Sequence, residues 1–349
     1  VLETCLPLVY LNAVGGQDEL VFDGASFALN KSGELALSLP HFKEYLSLIE
    51  FKQDPAIKDL VKNTISPATS VEAQVYDALV LGVKDYLSKN GFPGAIIGLS
   101  GGVDSALVLA IAVDALGADK VRAVMMPSRY TADISWIDAK QMADNLGVQY
   151  DEINIAPMVD AFDASLVSEF VGLPIDATEE NIQARVRGTL LMALSNKSGR
   201  IVLTTGNKSE MAVGYCTLYG YMAGGFAVIK DVAKTLVYRL CQYRNGMESV
   251  IPERILTRAP SAELRPDQKD QDSLPEYEVL DAILALYMEQ DESIQSIIER
   301  GFKAEDVEKV TRLIKINEYK RRQAPIGVRI TQRAFGRDWR YPITNKFRA

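Results

Sequence analysis

The stretch Ala95-Ile96-Ile97-Gly98-Leu99, followed at once by Ser100-Gly101-Gly102-Val103-Asp104-Ser105 and then by an apolar run to Leu116, constrains this chain more than any other. A short, wholly apolar strand is one covered on both faces. Paired glycines let the chain turn tightly and bring its backbone close to an anion. A helix opening directly behind them offers unpaired N–H groups and the positive end of its dipole. Ser100 and Ser105 add hydroxyl donors. Asp104 suits such a loop if a magnesium ion is shared between its carboxylate and phosphate oxygens. The Gly-Lys-Ser/Thr ending of the common P-loop is absent, and the dinucleotide fingerprint is absent too. The plainer alternative is a Gly-rich turn with Asp104 as a cap; all six residues in this context favour the phosphate loop.

The surrounding periodicity predicts strands at 95–99, 121–126, 148–155 and 201–205. They alternate with helices at 104–116, 133–146, stopped by Gly147, and 178–195, with Thr178 as the cap. A helix over 71–88 precedes them, with Val71, Val75, Leu79 and Val83 about one turn apart. This order predicts an α/β fold: a doubly wound, mostly parallel sheet covered by helices on both faces. In such sheets ligands sit beyond the carboxyl ends of the strands, so the loops after Leu99, Met126 and Thr205 should converge.

The flanks read differently. Residues 1–49 give short strands, with a turn at Gly15-Gly16-Gln17-Asp18 and a hairpin turn at Asn30-Lys31-Ser32-Gly33. Such a stretch makes a thin core alone. The expectation is the end of a larger sandwich whose beginning lies upstream, in keeping with a chain that opens on Val1 in mid-element, as a fragment or processed product does. Residues 50–66 are expected to form a linker, marked by Asp54-Pro55 and Ser66-Pro67, and 67–349 a second domain. Within it, 252–275 reads as a long loop, helices are expected at 276–289 and 305–317, and the tail 320–349 shows few regular periods.

Composition narrows the chemistry. The formal net charge of -8 argues against a surface that coats nucleic acid. No apolar run is long enough to span a bilayer, and no secretory signal opens the chain. Three cysteines, Cys5, Cys216 and Cys241, without paired spacing suggest neither a disulfide framework nor a zinc site and fit a reducing, cytoplasmic setting. His41 is the only histidine, so a Ser-His centre or a histidine-rich metal site is not expected.

With these residues in view, Ser100 to Ser105 resembles the pyrophosphate loop of the N-type ATP pyrophosphatases (the adenine nucleotide alpha hydrolase kind of fold), which cleave ATP between its α and β phosphates. Further segments narrow the resemblance to the glutamine-dependent NAD synthetases across essentially all of 67–349. They are Pro127 to Thr131, Glu179 to Gly188, Thr204 to Glu210, Gly214-Tyr215, Leu218 to Gly220, Lys230-Asp231, Lys234-Thr235, Arg258 to Leu264, and the Arg-rich Lys320 to Arg348. Asn12 to Ser26 looks like the last strands of the nitrilase-like amidase domain of that family, an α-β-β-α sandwich that hydrolyses glutamine and passes ammonia on. Its Glu, Lys and Cys lie upstream of the matched portion, so Cys5 is read as a small packing residue and not as the amidase nucleophile.

The resemblance implies the substrates ATP and deamido-NAD, an adenylated carboxylate, and displacement of AMP by ammonia. It implies Asp104 and Glu210 as magnesium ligands. Ser100, Gly101, Gly102, Val103 and Ser105, with Lys234 and Ser261, would cradle pyrophosphate. Thr205 and Arg129 would lie near the nucleotide. Arg185 and Lys208 would contact the dinucleotide, and Tyr215 and Tyr219 would stack on a ring or serve core or dimer packing. Homodimers or higher homo-oligomers are implied, with no nucleic-acid or membrane partner. Two positions depart from the family. Glu276 stands where a second proline is usual after Leu-Pro. Tyr221 stands after Tyr219-Gly220, where the family has an aspartate near the nicotinate end. A phenol is neutral at pH 7 and cannot replace a carboxylate that holds ammonium or takes its proton. Two other readings stay open: a nucleotide-binding pseudo-synthetase, and a tRNA-modifying ATP pyrophosphatase, against which the net acidity and the lack of a cysteine pair both speak.

Overall fold

A computed structural model describes residues 1–52, 59–266 and 268–344. The expected Asp54-Pro55 break and the end of the Arg-rich tail beyond residue 344 lie outside the described residues.

The N-terminal region holds five short strands: β1 (Leu8–Tyr10), β2 (Val14–Gln17), β3 (Leu20–Asp23), β4 (Phe27–Leu29) and β5 (Leu35–Ser38). Strands β1, β4 and β5 form one antiparallel sheet in that order, and β2 and β3 form a separate hairpin. The turn at 30–33 forms as expected, closed by the Gly33 N–H on the Asn30 carbonyl at 2.9 Å. Gly15 and Gly16 do not turn; they lie within β2, and the turn follows at Asp18–Glu19. The physical reason is close packing. The Gly16 N–H donates to Asp85 Oδ2 at 2.7 Å, and a Cβ on Gly16 would come within 3.3 Å of the Gly82 backbone. The glycines therefore serve contact with a helix, which a pattern of turn residues cannot distinguish from a turn. The stretch expected as a linker runs on beside β5: the Asn63 N–H reaches the Ala36 carbonyl at 2.7 Å, and the Ser66 N–H reaches the Ser38 carbonyl at 3.1 Å.

Helix α1 (Val71–Lys89), capped by Ser70, leads into the main sheet. That sheet contains β6 (Ala95–Gly98), β7 (Val121–Met125), β8 (Gln149–Glu152), β9 (Ile201–Thr204) and β10 (Phe226–Ala227), all parallel, in the order β10-β9-β6-β7-β8. Helices α2 (Val103–Leu116), α3 (Asp133–Leu146), α4 (Ala156–Leu166) and α5 (Ala177–Ser198) intervene. The chain builds outward from β6 to β8, then returns to the other side of β6 with β9. That reversal opens a crevice between the carboxyl ends of β6 and β9. Strands β6 and β9 are almost wholly buried, with one core on each face of the sheet.

Asp176, not Thr178, caps α5: its carboxylate accepts the Thr178 N–H at 2.7 Å, and Glu179 completes a capping box. An acidic residue outranks threonine here because it also opposes the helix dipole. The third strand is shorter than the expected 148–155, because Ile155 caps α4 instead of extending β8. Beyond β9 come α6 (Lys208–Val213), α7 (Lys234–Met247), α8 (Glu253–Thr257), α9 (Tyr277–Leu284), which runs on as a π-turn over Ala285–Glu289, α10 (Ile294–Glu299), α11 (Ala304–Ile316) and α12 (Glu318–Arg321). Helices α6, α9, α10 and α11 form a second core beside the sheet, whereas α7 and α8 pack into the core on one face of the sheet. Helix α8 breaks up the loop expected at 252–275. No helix among the described residues is long and apolar enough to cross a membrane.

Candidate active site

The crevice is lined by Ser100 to Ser105, Thr204 to Gly206, Glu210, Lys234 and the 259–264 segment. Gly101 has φ +80°, and a Cβ there would lie 2.4 Å from the Ser135 carbonyl oxygen, so only glycine fits. Behind it Ser105 Oγ donates to the Gly102 carbonyl at 2.9 Å, and the Gly102 N–H donates to Ser100 Oγ at 3.3 Å. Gly102 is the N-cap of α2 and brings no side-chain oxygen to its first turn. The open amides of a 14-residue helix therefore face the crevice.

Three charged side chains meet beside this loop. Lys234 at the start of α7 is 2% exposed; its ammonium pairs with Asp104 Oδ2 and stands 3.8 Å from Glu210 Oε1. Burial alone would lower the Lys234 pKa, but the Asp104 and Glu210 carboxylates outweigh it and hold the group above the ordinary lysine value. Glu210 is pushed up to about 8, first by burial and then by the neighbouring Asp104 charge. A cation placed at the two carboxylates would favour the ionised form. Among the described residues, no three His, Cys, Asp or Glu groups converge on one ion. That donor set fits magnesium, which is commonly held by one or two carboxylates and completed by phosphates and water.

Two residues that sequence reasoning left without a role organise the cluster. Asn207, fully buried, caps α6: its Oδ1 accepts the Glu210 N–H at 2.9 Å, and its Nδ2 donates to Asp104 Oδ1 at 2.9 Å. The Asn-x-x-Glu spacing of a capping box was the available signal. Asp281 of α9 accepts the Thr235 N–H at 2.8 Å and the Ser209 hydroxyl, and so ties the first turns of α6 and α7 together. No local pattern marks Asp281, because its partners are more than 40 residues away.

Thr205, Ser261, Tyr215 and Tyr221 also line the crevice. The Arg187 guanidinium donates to the Tyr221 hydroxyl at 3.3 Å. Burial raises the Tyr221 pKa, while Arg187 opposes the rise. The remaining expected residues are not brought to this crevice. Arg129 is exposed and pairs with Asp160 at 2.5 Å. Arg185 is exposed and donates to the Leu218 carbonyl at 3.3 Å. Tyr219 is exposed, with its hydroxyl on Gln323.

Lys208 is 1% exposed and points the other way. Its ammonium meets Glu289 at 2.8 Å, Thr331 Oγ1 at 2.6 Å and Asp231 at 3.1 Å. It pins the segment after residue 326 to α6. Replacing Lys208 by Met should lower stability by about 3–5 kcal/mol, because it strands Asp231 in the interior. A thermal unfolding midpoint equal to that of the unaltered chain would refute this.

Cys5 is exposed, against the expectation that it packs, and Cys241 is buried. Burial pushes the Cys216 thiol up to about 11 and raises Cys241 as well. At pH 8 only about 10⁻³ of Cys216 would then be thiolate. A thiol reagent at that pH should label Cys5 first, and mass spectrometry of the labelled peptides reads the order.

Comparison with known proteins agrees with this geometry. The NAD synthase family model matches residues 75–324. The glutamine-dependent NAD(+) synthetase of Acinetobacter baylyi is 59% identical over 98% of this chain and 63% of that protein. The glutamine-dependent NAD+ synthetase of Acinetobacter baumannii, solved in complex with ADP, is 53% identical, with TM-score 0.72 over 99% of this chain and 63% of that one. The NMN synthetase of Francisella tularensis is 28% identical, with TM-score 0.62 over 72% of this chain and 96% of that one. The chain thus spans less than two thirds of the length of the glutamine-dependent relatives. A family match that covers residues 75–324, more than two thirds of the chain, makes this protein a member of the NAD synthase family.

Proposed function

We propose that this chain amidates deamido-NAD to NAD at the cost of ATP, with ammonia as the immediate nitrogen source and glutamine as its origin in a longer protein. The observation that carries the reading is the junction of the open α2 amides with the Asp104–Lys234–Glu210 cluster, the equipment needed to receive a leaving pyrophosphate. The ADP-bound relative supports the nucleotide assignment.

In this reading the substrate carboxylate oxygen attacks the α phosphorus of ATP. The bond from that phosphorus to the bridging oxygen breaks, and pyrophosphate leaves. Ammonia nitrogen then attacks the acyl carbon, the bond to AMP breaks, and one proton is released. Ser100, Ser105 and the backbone from Gly101 to Val103 hold the pyrophosphate, and Ser261 closes over it. Asp104 and Glu210 would hold magnesium, which supplies charge neutralisation at the phosphates. Lys234 is a point charge that can pass from Asp104 to a phosphate oxygen. Thr205 contacts the nucleotide. The apolar cavity walled by Leu99, Val124, Met126 and Leu191, next to the loop, suits the adenine. Arg129, Arg185 and Tyr219 would need the dinucleotide to extend over the rim.

Residues 1–49 are read as the end of a nitrilase-like amidase domain and 67–349 as the synthetase domain. Leu8, Val9 and Tyr10 of β1 are exposed, as expected of a strand that the rest of such a sandwich would cover. The apolar, exposed Phe162, Val167, Val171, Leu173 and Ile175 suit a homodimer contact. A cytoplasmic setting fits the three unpaired cysteines.

Tyr221 favours a second reading, a synthetase arrested after adenylation. Incubation with ATP, magnesium, deamido-NAD and either ammonium or glutamine separates the two, with AMP and NAD quantified. The mononucleotide counterpart of the substrate runs in parallel, given the similarity to an NMN synthetase. NAD from ammonium supports the proposal. AMP without amide supports the second reading, and neither product sinks both.

A further inference from the structure

We propose that Glu263 is a positioning residue: its carboxylate latches the 259–264 segment to the first turn of α3 and so fixes the Ser261 hydroxyl over the phosphate loop. This rests on the synthetase reading above, which gives Ser261 the pyrophosphate.

The Glu263 carboxylate gathers donors from two other parts of the chain. Its Oε1 accepts the Ser135 hydroxyl at 2.6 Å and the Arg258 guanidinium, and its Oε2 accepts the Ala132 N–H at 3.4 Å. Arg258 closes the ring by donating to Ser135 Oγ as well. Ala132 is the N-cap of α3 and Ser135 lies in its first turn, whereas Arg258 follows α8. The Glu263 side chain is 15% exposed. A carboxylate that accepts several bonds while largely out of water holds its partners more firmly than an ion pair on an open surface.

The backbone supplies a second, independent observation. Glu263 has φ +50°, a left-handed conformation that residues with a side chain rarely adopt. It persists only where the surroundings hold it. On the far side, the Leu264 N–H donates to Gln268 Oε1 at 2.8 Å, and the Leu264 carbonyl accepts Gln183 Nε2 of α5 at 3.0 Å. On the near side, the Glu263 N–H folds back onto Ser261 Oγ at 3.2 Å. That oxygen is thereby engaged as an acceptor, which leaves its O–H to donate into the crevice that Ser261 lines. Ser135 in turn packs on Gly101 of the phosphate loop. One side chain thus sets the segment against the loop, with Glu263 on Ser135, Ser135 on Gly101, and the strained turn at Glu263 aiming Ser261.

The test uses the whole chain with ATP, magnesium and deamido-NAD, and compares Glu263→Gln, Ser261→Ala and the two combined. Glu263→Gln keeps the length of the side chain but gives up the charge that Arg258 and Ser135 bind. It should lower kcat for AMP formation about tenfold and change KM for ATP by less than about twofold, because a donor to the leaving pyrophosphate matters most as charge develops there. Residues that act through one contact are not additive, so the double variant should be no slower than the slower single one. Hydrogen exchange at the Glu263 and Leu264 amides should quicken about tenfold in Glu263→Gln while exchange in β6 stays as it was, since only the segment is released. A full rate in Glu263→Gln, losses that multiply in the double variant, unchanged exchange at 263–264, or faster exchange in β6 as well overturns the proposal. If the unaltered chain forms no AMP, the synthetase reading fails and the exchange result alone decides the latch. If AMP forms and exchange at 263–264 is the same in Glu263→Gln, the latch fails and the reading stands.

Discussion

Replacing Tyr221 by aspartate is expected to raise ammonia-dependent NAD formation by about 10²-fold, the lower end of what a positioned proton acceptor contributes. In the proposed reaction, attack by ammonia on the adenylated carboxyl leaves a positively charged nitrogen that must lose a proton. The Tyr221 phenol cannot take it. Burial raises its pKa, and its oxygen already accepts from Arg187 at 3.3 Å. The ring also lines both the crevice and the neighbouring apolar cavity. Aspartate would add a charged acceptor beside Arg187 and remove the bulk of the ring. The informative measurement is the ratio of NAD to AMP under saturating ammonium. A rise in NAD with AMP formation little changed places the block after adenylation. Equal NAD rates for the two proteins would show that Tyr221 does not limit the reaction.

Replacing Lys234 by Met has the largest expected loss. AMP formation should fall by about 10³-fold, the upper range for removing one preorganised donor from a developing anion. Stability should fall as well, by about 3–5 kcal/mol, because Asp104 and Glu210 would face each other without their shared, nearly buried cation. Millimolar magnesium should return part of that stability, since an ion that binds only the folded state shifts the equilibrium toward it. Thermal unfolding with and without magnesium separates the two effects. If magnesium leaves the unfolding midpoint of the variant where it was, the two carboxylates do not hold the ion. A variant that keeps full AMP formation would remove Lys234 from the mechanism.

Much of the fold was legible in the sequence because its signals are local. The apolar strands β6, β7 and β9, the helices between them and the loop from Ser100 to Ser105 follow from short-range periodicity and from the conformational demands of Gly101. The convergence of the loops after β6 and β9 follows from the topology of parallel sheets. The meeting of Asp104, Glu210, Thr205 and Ser261 in one crevice was likewise anticipated, on the strength of family resemblance. Other features depend on partners far away in the chain. Gly15 and Gly16 read as a turn until α1 is packed against them. By resemblance Lys208 reads as a contact to the dinucleotide until Asp231, Glu289 and Thr331 enclose it from remote segments. The Asn-x-x-Glu spacing marks Asn207 as a cap, but its bond to Asp104 and the bonds of Asp281 to Ser209 and Thr235 reach other elements, and no spacing along the chain encodes those. The sequence by itself determined the strands β6 to β9, the helices α1, α2, α3 and α5 and the glycine turn between β6 and α2, because backbone propensity and apolar period act within a few residues. Only the tertiary structure decided which charges are buried together and which face away, because burial and pairing of charge depend on groups that meet only when the whole chain has folded.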